Sequence, residues 1–191
     1  MFKITCKKEL NPTVTFMSIE APRVAKKAEA GQFIILRVDE QGERIPLTVA
    51  GFDREKGTVD IIFQIVGATT KKLNALSVGD CVSDFVGPLG RKTATENIST
   101  ACIVGGGVGC AIALPIARKL HEMGVKVHGI IGFRNKDLVI LEDEFKACCD
   151  TLTVVTDDGL FVVRYGNNEL VCTTISRKGL GFFTFPNRIC P

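Results

Sequence analysis

Thr100–His121 reads TACIVGGGVGCAIALPIARKLH, and the interpretation of the chain turns on this stretch. A short apolar run, Ala101–Val104, meets Gly105-Gly106-Gly107-Val108-Gly109. A segment with helical spacing follows, placing Ile112, Ile116, Ala117 and Leu120 on one face. A buried strand, a glycine turn and a helix N-terminus together gather backbone N–H groups where an anion can sit, and the helix dipole favours negative charge at the same point. Glycines serve there because a Cβ would keep the backbone from closing on a diphosphate. Four glycines in five residues point to nucleotide binding rather than to a plain turn. The usual dinucleotide fingerprint is not met. With Gly105 and Gly107 as its first two glycines, Cys110 stands where the third small residue belongs.

Outward from that stretch, the 191 residues and 20.7 kDa suit one large domain or two small ones. Hydrophobic residues make up 46% of the chain, enough for a core. No apolar run approaches the ~18 residues of a membrane span, and MFKITCKKEL lacks the apolar stretch of a signal peptide. A formal net charge of +3, without a Lys/Arg block or interleaved aromatics, argues against nucleic acid. The expectation is a soluble cytoplasmic protein that binds neither nucleic acid nor membrane. The eight cysteines, Cys6, Cys81, Cys102, Cys110, Cys148, Cys149, Cys172 and Cys190, form no C-x-x-C pair and match no zinc spacing. Most sit in apolar runs, as small buried hydrophobes do, so no metal site is expected.

Residues 1–95 read as β structure. Strands are expected over Phe2–Lys8, Val14–Ala21, Gln32–Val38, Ile45–Phe52, Thr58–Val66 and Cys81–Val86, with one helical piece at Thr69–Leu76. Six short strands separated by turn signals suggest a barrel or sandwich. From about residue 99 the pattern becomes strand (100–104), helix (about 108–123), strand (Lys126–Ile131), short helix (Glu142–Ala147) and strand (Leu152–Val155). That is a βαβαβ unit with a parallel sheet and right-handed crossovers. The glycine loop therefore follows a β domain instead of opening the protein.

Three further stretches complete a recognisable set: Arg44-Ile45-Pro46-Leu47-Thr48 on one strand, Gly67-Ala68-Thr69-Thr70 opening the small helix, and Gly87-Pro88-Leu89-Gly90 closing the last strand of the β domain. With the GGGxG loop, they resemble the ferredoxin–NADP reductase superfamily, in which an FAD-binding barrel precedes a nucleotide-binding domain. The resemblance is strongest to two groups: the electron-transfer subunits of dihydroorotate dehydrogenase, and the small (alpha) subunits of NADH-dependent reduced ferredoxin:NADP oxidoreductase, also called sulfide dehydrogenase. It runs through most of residues 1–159. It implies β plus α/β architecture: an FAD-binding β-barrel over 1–96, an incomplete Rossmann-like NAD(P)-binding domain over 97–159, and a divergent tail over 160–191.

The resemblance also implies site residues. Arg44 would pair with the FAD diphosphate as a planar cation with fixed donors. Pro46 and Leu47 would line the flavin site. Thr48, on the same strand face as Arg44, would stand beside the flavin ring with its hydroxyl or backbone N–H near N5. This is the one catalytic position expected. Gly67, Thr69 and Thr70 would offer N–H groups and hydroxyls to the diphosphate, and Gly87 and Gly90 would complete the barrel side. Gly105, Gly106, Gly107 and Gly109 would carry the pyridine nucleotide, with Arg134 and Asp157 at the cleft. No carboxylate stands at the tip of the second nucleotide strand to take a ribose 2′-OH, and Arg134 and Lys136 suit a 2′-phosphate. The relatives favour NAD(H), so the choice between NAD(H) and NADP(H) stays open, with a preference for NAD(H). His121 and His128 receive no role, because hydride transfer to flavin needs no protein base. Cys148-Cys149 is expected to pair one buried with one exposed thiol.

After Gly159 the reading departs from the family pattern. The relatives continue into a cysteine-rich segment holding a 2Fe–2S cluster, whereas LFVVRYGNNELVCTTISRKGLGFFTFPNRICP offers only Cys172 and Cys190. The expectation is a truncated or altered-frame end, no cluster, and a parallel sheet of three strands with one edge uncovered. The function implied is a flavoprotein oxidoreductase subunit that passes electrons between NAD(P)H and FAD. From there they go to a larger flavin/iron–sulfur partner subunit, in a heterodimer or larger assembly. The alternatives are a non-catalytic flavin-binding remnant and a free-standing flavin reductase.

Overall fold

The structure, a computed structural model, describes residues 1–159 and 162–165, and the chain divides after Ala94 into two compact units. The first unit holds β1 (Phe2–Asn11), β2 (Val14–Glu20), α1 (Pro22–Ala25), β3 (Phe33–Arg37), β4 (Arg44–Asp53), β5 (Thr58–Gln64), α2 (Ala68–Ala75), β6 (Cys81–Val82) and β7 (Asp84–Leu89). Its antiparallel sheet runs in the order β6-β1-β2-β5-β4-β3-β7. The two edge strands, β6 and β7, are separated in sequence by Ser83 alone. Ser83 donates its N–H to the carbonyl of Arg37 at 3.0 Å. One short stretch thus visits both edges and curls the sheet into a nearly closed barrel, which leaves little exposed strand edge. The strand expected over Cys81–Val86 is therefore two strands with a crossing residue, and the second runs on to Leu89.

Alternation fills the barrel. Ile34, Leu36, Val49, Val59, Ile61, Phe63, Val82 and Phe85 point inward with Ile4, Met17 and Ile19, all buried. Helix α2 contributes Leu73 to this core, fully buried and the helix's single buried residue. That burial is worth about 1.5–3 kcal/mol, and it pins the helix to the barrel. Lys7 Nζ donates to the Leu76 carbonyl at 2.8 Å, and Thr15 Oγ1 donates to Asn74 Oδ1 at 2.7 Å. A cation on the terminal carbonyls of a helix is also favourable to its dipole. Helix α1 was not expected from the sequence. Pro22 opens it, and Val24 and Ala25 are buried.

The second unit holds β8 (Thr100–Gly106), a 3₁₀ turn (Gly107–Gly109), α3 (Cys110–Glu122), β9 (Lys126–Phe133), α4 (Glu142–Lys146), β10 (Thr151–Thr156) and β11 (Val162–Tyr165). Strands β8, β9 and β10 are parallel and in register, and β11 adds antiparallel to β10, giving the order β11-β10-β9-β8. The three-stranded expectation is corrected accordingly: a hairpin after Thr156 covers the β10 edge, with Val155↔Val162 as its first pair. The remaining expectations for 160–191, including Cys172 and Cys190, lie outside the described residues.

Alternate residues Ala101, Ile103, Val127, Ile131, Leu152 and Val154 are buried, the face on which α3 packs. Helix α3 begins at Cys110, two residues later than expected, because the glycines turn first as a 3₁₀ segment. Of its expected inner face, Ile116, Ala117 and Leu120 are buried and Ile112 is only partly so. No helix among the described residues is long and apolar enough to cross a membrane.

Candidate functional site

In the first unit, the strand β4 sets the candidate residues by its pleat. Ile45, Leu47 and Val49 turn to the barrel core, and Arg44, Pro46 and Thr48 turn outward. Leu47, expected to line the site, is thus a core-facing residue. Cross-strand register extends the outward residues into three rows over β4, β3 and β7: Thr48–Phe33–Leu89, Pro46–Ile35–Val86 and Arg44–Arg37–Asp84. The surface therefore grades from a hydroxyl and apolar groups at one end to two guanidiniums and a carboxylate at the other. Val86 is 51% exposed, an uncommon position for a large apolar side chain in a strand.

Arg44 Nη2 donates to Asp84 Oδ2 at 2.9 Å, and its side chain is 59% exposed. One residue before it, Glu43 Oε2 accepts from Thr69 Oγ1 at 3.3 Å. Lys72, one turn further along α2, pairs with Asp39 and holds that carboxyl below its usual range. These two contacts tie α2 to the β3–β4 connection and bring its N-terminus beside Arg44. Thr70 Oγ1 accepts from the N–H groups of Val66 and Gly67, both at 3.0 Å, and donates to the Gly67 carbonyl at 3.1 Å. Its hydroxyl serves the helix cap, and the Thr69 hydroxyl is engaged by Glu43. What the helix offers a ligand is its backbone: the first intrahelical bond is Lys71 N–H to the Gly67 carbonyl, so the N–H groups of Ala68, Thr69 and Thr70 precede the helical ladder. A Cβ on Gly67 would meet nothing within 4 Å, and its φ of −130° suits any residue. Packing does not require that glycine, and its absence of side chain keeps the approach open. Gly87 has a different cause, since a Cβ there would fall 2.6 Å from Ile34 Cγ2. Gly90 likewise backs onto the Phe33 ring, 3.0 Å from a Cβ placed on it.

In the second unit, the candidate residues gather at the carboxyl ends of the parallel strands, where ligands bind in open α/β sheets. Gly106 pairs with Gly132 and Thr156 with Phe133 at that end. Asp157 donates its N–H to the Phe133 carbonyl at 2.9 Å, which places it next to the exposed Arg134. Thr156 Oγ1 donates to Asp158, closing that turn on itself. The glycines have separate causes. A Cβ on Gly105 would lie 2.9 Å from Cys110 Sγ and 3.2 Å from Cys110 Cα, so Gly105 lets α3 close on β8. Cys110 is fully buried and its thiol is pushed up to about 12 by burial. It fills, with Gly105, the close helix–strand contact that a third small residue makes in the fingerprint. Gly106 and Gly107 face open space, and Gly107 alone of the three has a positive φ, +53°.

His128 stands in a row with Cys102 and Thr151, away from these strand ends, and its Nδ1 is 2.6 Å from Thr151 Oγ1. Burial and the nearby Lys126 lower its pKa. Cys148 is buried and Cys149 partly exposed. Among the described residues, no group of three His, Cys, Asp or Glu side chains is arranged to hold a metal ion. Sequence reading did not single out Arg37, Glu43 or Asp84. Arg37 and Asp84 are charged residues on outward strand positions and Glu43 a charged residue just before β4, signals that ordinary surface residues share.

The family profile described as "Oxidoreductase FAD-binding domain" matches residues 1–93. The "uncharacterized protein in adh 3'region" of Clostridium beijerinckii is 46% identical over 186 residues, covering 94% of this chain and 63% of that protein. The "dihydroorotate dehydrogenase B (NAD(+)), electron transfer subunit" of Streptococcus pneumoniae is 34% identical over 181 residues, covering 92% of this chain and 69% of that subunit. Both alignments take in more of the chain than residues 1–159 supply, so the likeness continues past Gly159. A solved structure of an NADH-dependent reduced ferredoxin-NADP oxidoreductase superposes with a TM-score of 0.78 at 41% identity, over 82% of this chain and 57% of that one. The chain thus spans about three-fifths of the length of the first relatives it matches. The nearly closed barrel, the parallel sheet behind it in sequence and these matches agree: the chain belongs to the family of the dihydroorotate dehydrogenase electron transfer subunits, with a ferredoxin–NADP reductase-like FAD-binding domain at its N-terminus.

Proposed function

We propose that the chain is a flavin-carrying electron-transfer subunit: its first unit holds FAD, its second holds NAD(P)H, with NAD(H) preferred, and electrons leave to a larger flavin/iron–sulfur partner. The observation that carries the reading is the outward face of β4, with Arg44 and the α2 N-terminus at one end and Thr48 at the other. Four residues at ~3.3 Å each separate these ends by about 13 Å, room for a sugar-alcohol chain between a diphosphate and a ring. Arg44 and the N–H groups of Ala68–Thr70 supply charge-assisted donors for the diphosphate. Phe33, Ile35 and Val86 supply apolar surface beside Thr48 for the ring. Thr48 supplies a hydroxyl and an N–H at the ring edge, and it positions rather than exchanges protons. FAD held there would supply hydride acceptance and one-electron release, and the protein's part would be orientation and electrostatics. In the second unit, Gly106 and Gly107 leave the turn open to a diphosphate, with Arg134 and Asp157 beside it.

Titration of apoprotein with FAD and with riboflavin, which lacks the diphosphate, tests the first half. Replacing Arg44 by Ala removes one charge-assisted contact, whose net worth in the parent is reduced because Arg44 must give up its Asp84 pairing to make it. The expected loss in FAD affinity is therefore about 10-fold, the lower end for such a contact, with riboflavin affinity unchanged. Equal FAD affinity in Arg44→Ala and parent would remove Arg44 from the site.

A further inference from the structure

We propose that Arg37 is a positioning residue for this site: by holding Asp84, it releases Arg44 to engage the anionic end of the ligand. The inference rests on the FAD reading above and adds a residue to it. Arg37, Arg44 and Asp84 share one row, Arg37 opposite Arg44 on β4 and opposite Asp84 on β7. Both guanidiniums converge on the same oxygen, Asp84 Oδ2, Arg37 Nε at 2.8 Å and Arg44 Nη2 at 2.9 Å. The two arginines are unequal. The Arg37 side chain is 21% exposed and its Nη1 donates to the Glu40 carbonyl at 2.9 Å, so it is held at both ends. Its Nε is buried and meets Asp84 by proximity of charge, outside hydrogen-bond alignment. Arg44 is 59% exposed and held by the Asp84 contact.

Two cations on one carboxylate leave a surplus positive charge. When Arg44 turns to a diphosphate, Asp84 keeps Arg37 and is not stranded. Without Arg37, Arg44 would be the sole counterion of Asp84. Its departure would leave a bare carboxylate beside two phosphate charges, and the row would carry no surplus charge to attract them. The opposite arrangement, in which Asp84 orders Arg44 for the ligand, predicts the opposite sign for removal of Asp84. The chemistry therefore separates the two roles.

The experiment measures FAD and riboflavin affinities at low salt for the parent, Arg37→Gln, Arg37→Lys, Arg44→Ala, Asp84→Asn and the Arg37→Gln/Asp84→Asn double variant. Arg37→Gln is expected to weaken FAD about 3- to 10-fold, the scale of a part-exposed ion pair plus one nearby charge, and to leave riboflavin unchanged. Arg37→Lys should keep most of the FAD affinity. Asp84→Asn should bind FAD as tightly as the parent or more tightly, and the double variant should recover the loss. Because the double variant removes both members of the ion pair, it keeps the test informative if Arg37→Gln alone folds poorly. An unchanged FAD-to-riboflavin ratio in Arg37→Gln, with a lowered ratio in Arg44→Ala, overturns the role of Arg37 and leaves the site reading standing. So does an Asp84→Asn variant weakened as much as Arg37→Gln. An unchanged ratio in Arg44→Ala overturns the site reading itself, and this inference with it.

Discussion

Gly105, Gly106 and Gly107 are consecutive and chemically identical, yet alanine at each should fail in a different way. A Cβ at Gly105 would lie 2.9 Å from Cys110 Sγ, 3.2 Å from Cys110 Cα and 3.4 Å from Ala113 Cβ. The sulfur can rotate, but the Cα belongs to the helix backbone, and both Cys110 and Ala113 are fully buried. Relief requires α3 to shift from β8, an overpacking cost of about 1–3 kcal/mol. At about 2–4 °C per kcal/mol for a chain of this size, Gly105→Ala should lower Tm by about 2–12 °C. Gly106 has φ −126° and nothing within 4 Å of an added Cβ, so Gly106→Ala should leave Tm where it was. On the proposed function, its methyl group would instead stand in the open space assigned to the nucleotide diphosphate. Displacing a bound substrate by about 1 Å costs up to about 100-fold in rate. Stopped-flow reduction of the bound flavin by NADH should therefore slow by about 10- to 100-fold. Gly107→Ala should do both mildly, since its φ of +53° costs a β-carbon residue about 1 kcal/mol. Calorimetry and stopped flow on the three variants give two numbers each. An unchanged Tm in Gly105→Ala, or a lowered Tm with normal reduction in Gly106→Ala, would refute the assignment of packing to the first glycine and access to the second.

Thr70→Val removes the acceptor for the N–H groups of Val66 and Gly67. It should cost about 0.5–2 kcal/mol by the ordinary worth of a helix cap, read as a lowered urea midpoint. The barrel is otherwise unchanged, so FAD affinity should fall with the loosened α2 and riboflavin affinity should not. His128 gives a pH dependence with a definite sign. Its pKa is lowered in the fold by burial and by Lys126, so the unfolded chain binds more protons on acidification and stability falls as pH drops. The loss should begin near the ordinary histidine value of about 6.5. Denaturation midpoints at pH 7.5 and 5.5 should differ more in the parent than in His128→Asn, and equal slopes would remove His128 as the cause.

The barrel was legible because its strands alternate and its turns carry Gly, Pro and Asn, as at Val14–Glu20 between Asn11-Pro12 and Pro22. Where the reading went astray, the cause was a long-range constraint. Cys81–Val86 has the pattern of one strand, but Cys81 and Val82 pair with β1 whereas Ser83 bonds Arg37 on β3, and the strand breaks there. Strand β11 follows a turn closed by Thr156 and Asp158 and pairs in a four-residue register with β10, too short a span for periodicity to reveal. Helix α1 occupies Pro22–Ala25, also below the length at which a helical period shows. On the candidate site, the period of two put Arg44 and Thr48 on one face correctly. The partners of Arg44 were hidden, because Asp84 is forty positions away and reaches it only through the register of two strand pairs.

Pro46 shows how the fold and the candidate site are one design. Proline inside a strand is tolerated where the ladder does not need its N–H. The Val49 N–H bonds the Gln32 carbonyl at 3.0 Å, and antiparallel ladders alternate bonded with non-bonded pairs. Pairs of the same parity, Leu47 with Ile34 and Ile45 with Leu36, are then the bonded ones. Pro46, opposite Ile35, falls in a non-bonded pair, so no ladder bond to β3 is lost. By the same alternation the N–H groups of Arg44 and Thr48 turn away from β3, toward the side where β4 meets β5. Pairing with β5 begins only at Val49↔Ile61. The Arg44–Thr48 half of β4 is thus bonded to a neighbour on one side, with Pro46 blocking any continuous strand on the other. In the proposed function, a ligand along this edge would meet the Thr48 N–H without competing with another strand, and the Arg44 guanidinium, which reaches over β3 to Asp84, would swing back toward it. The proline that weakens the sequence's claim to a central strand therefore leaves this half of β4 without a second strand partner, the edge on which the proposed FAD site relies.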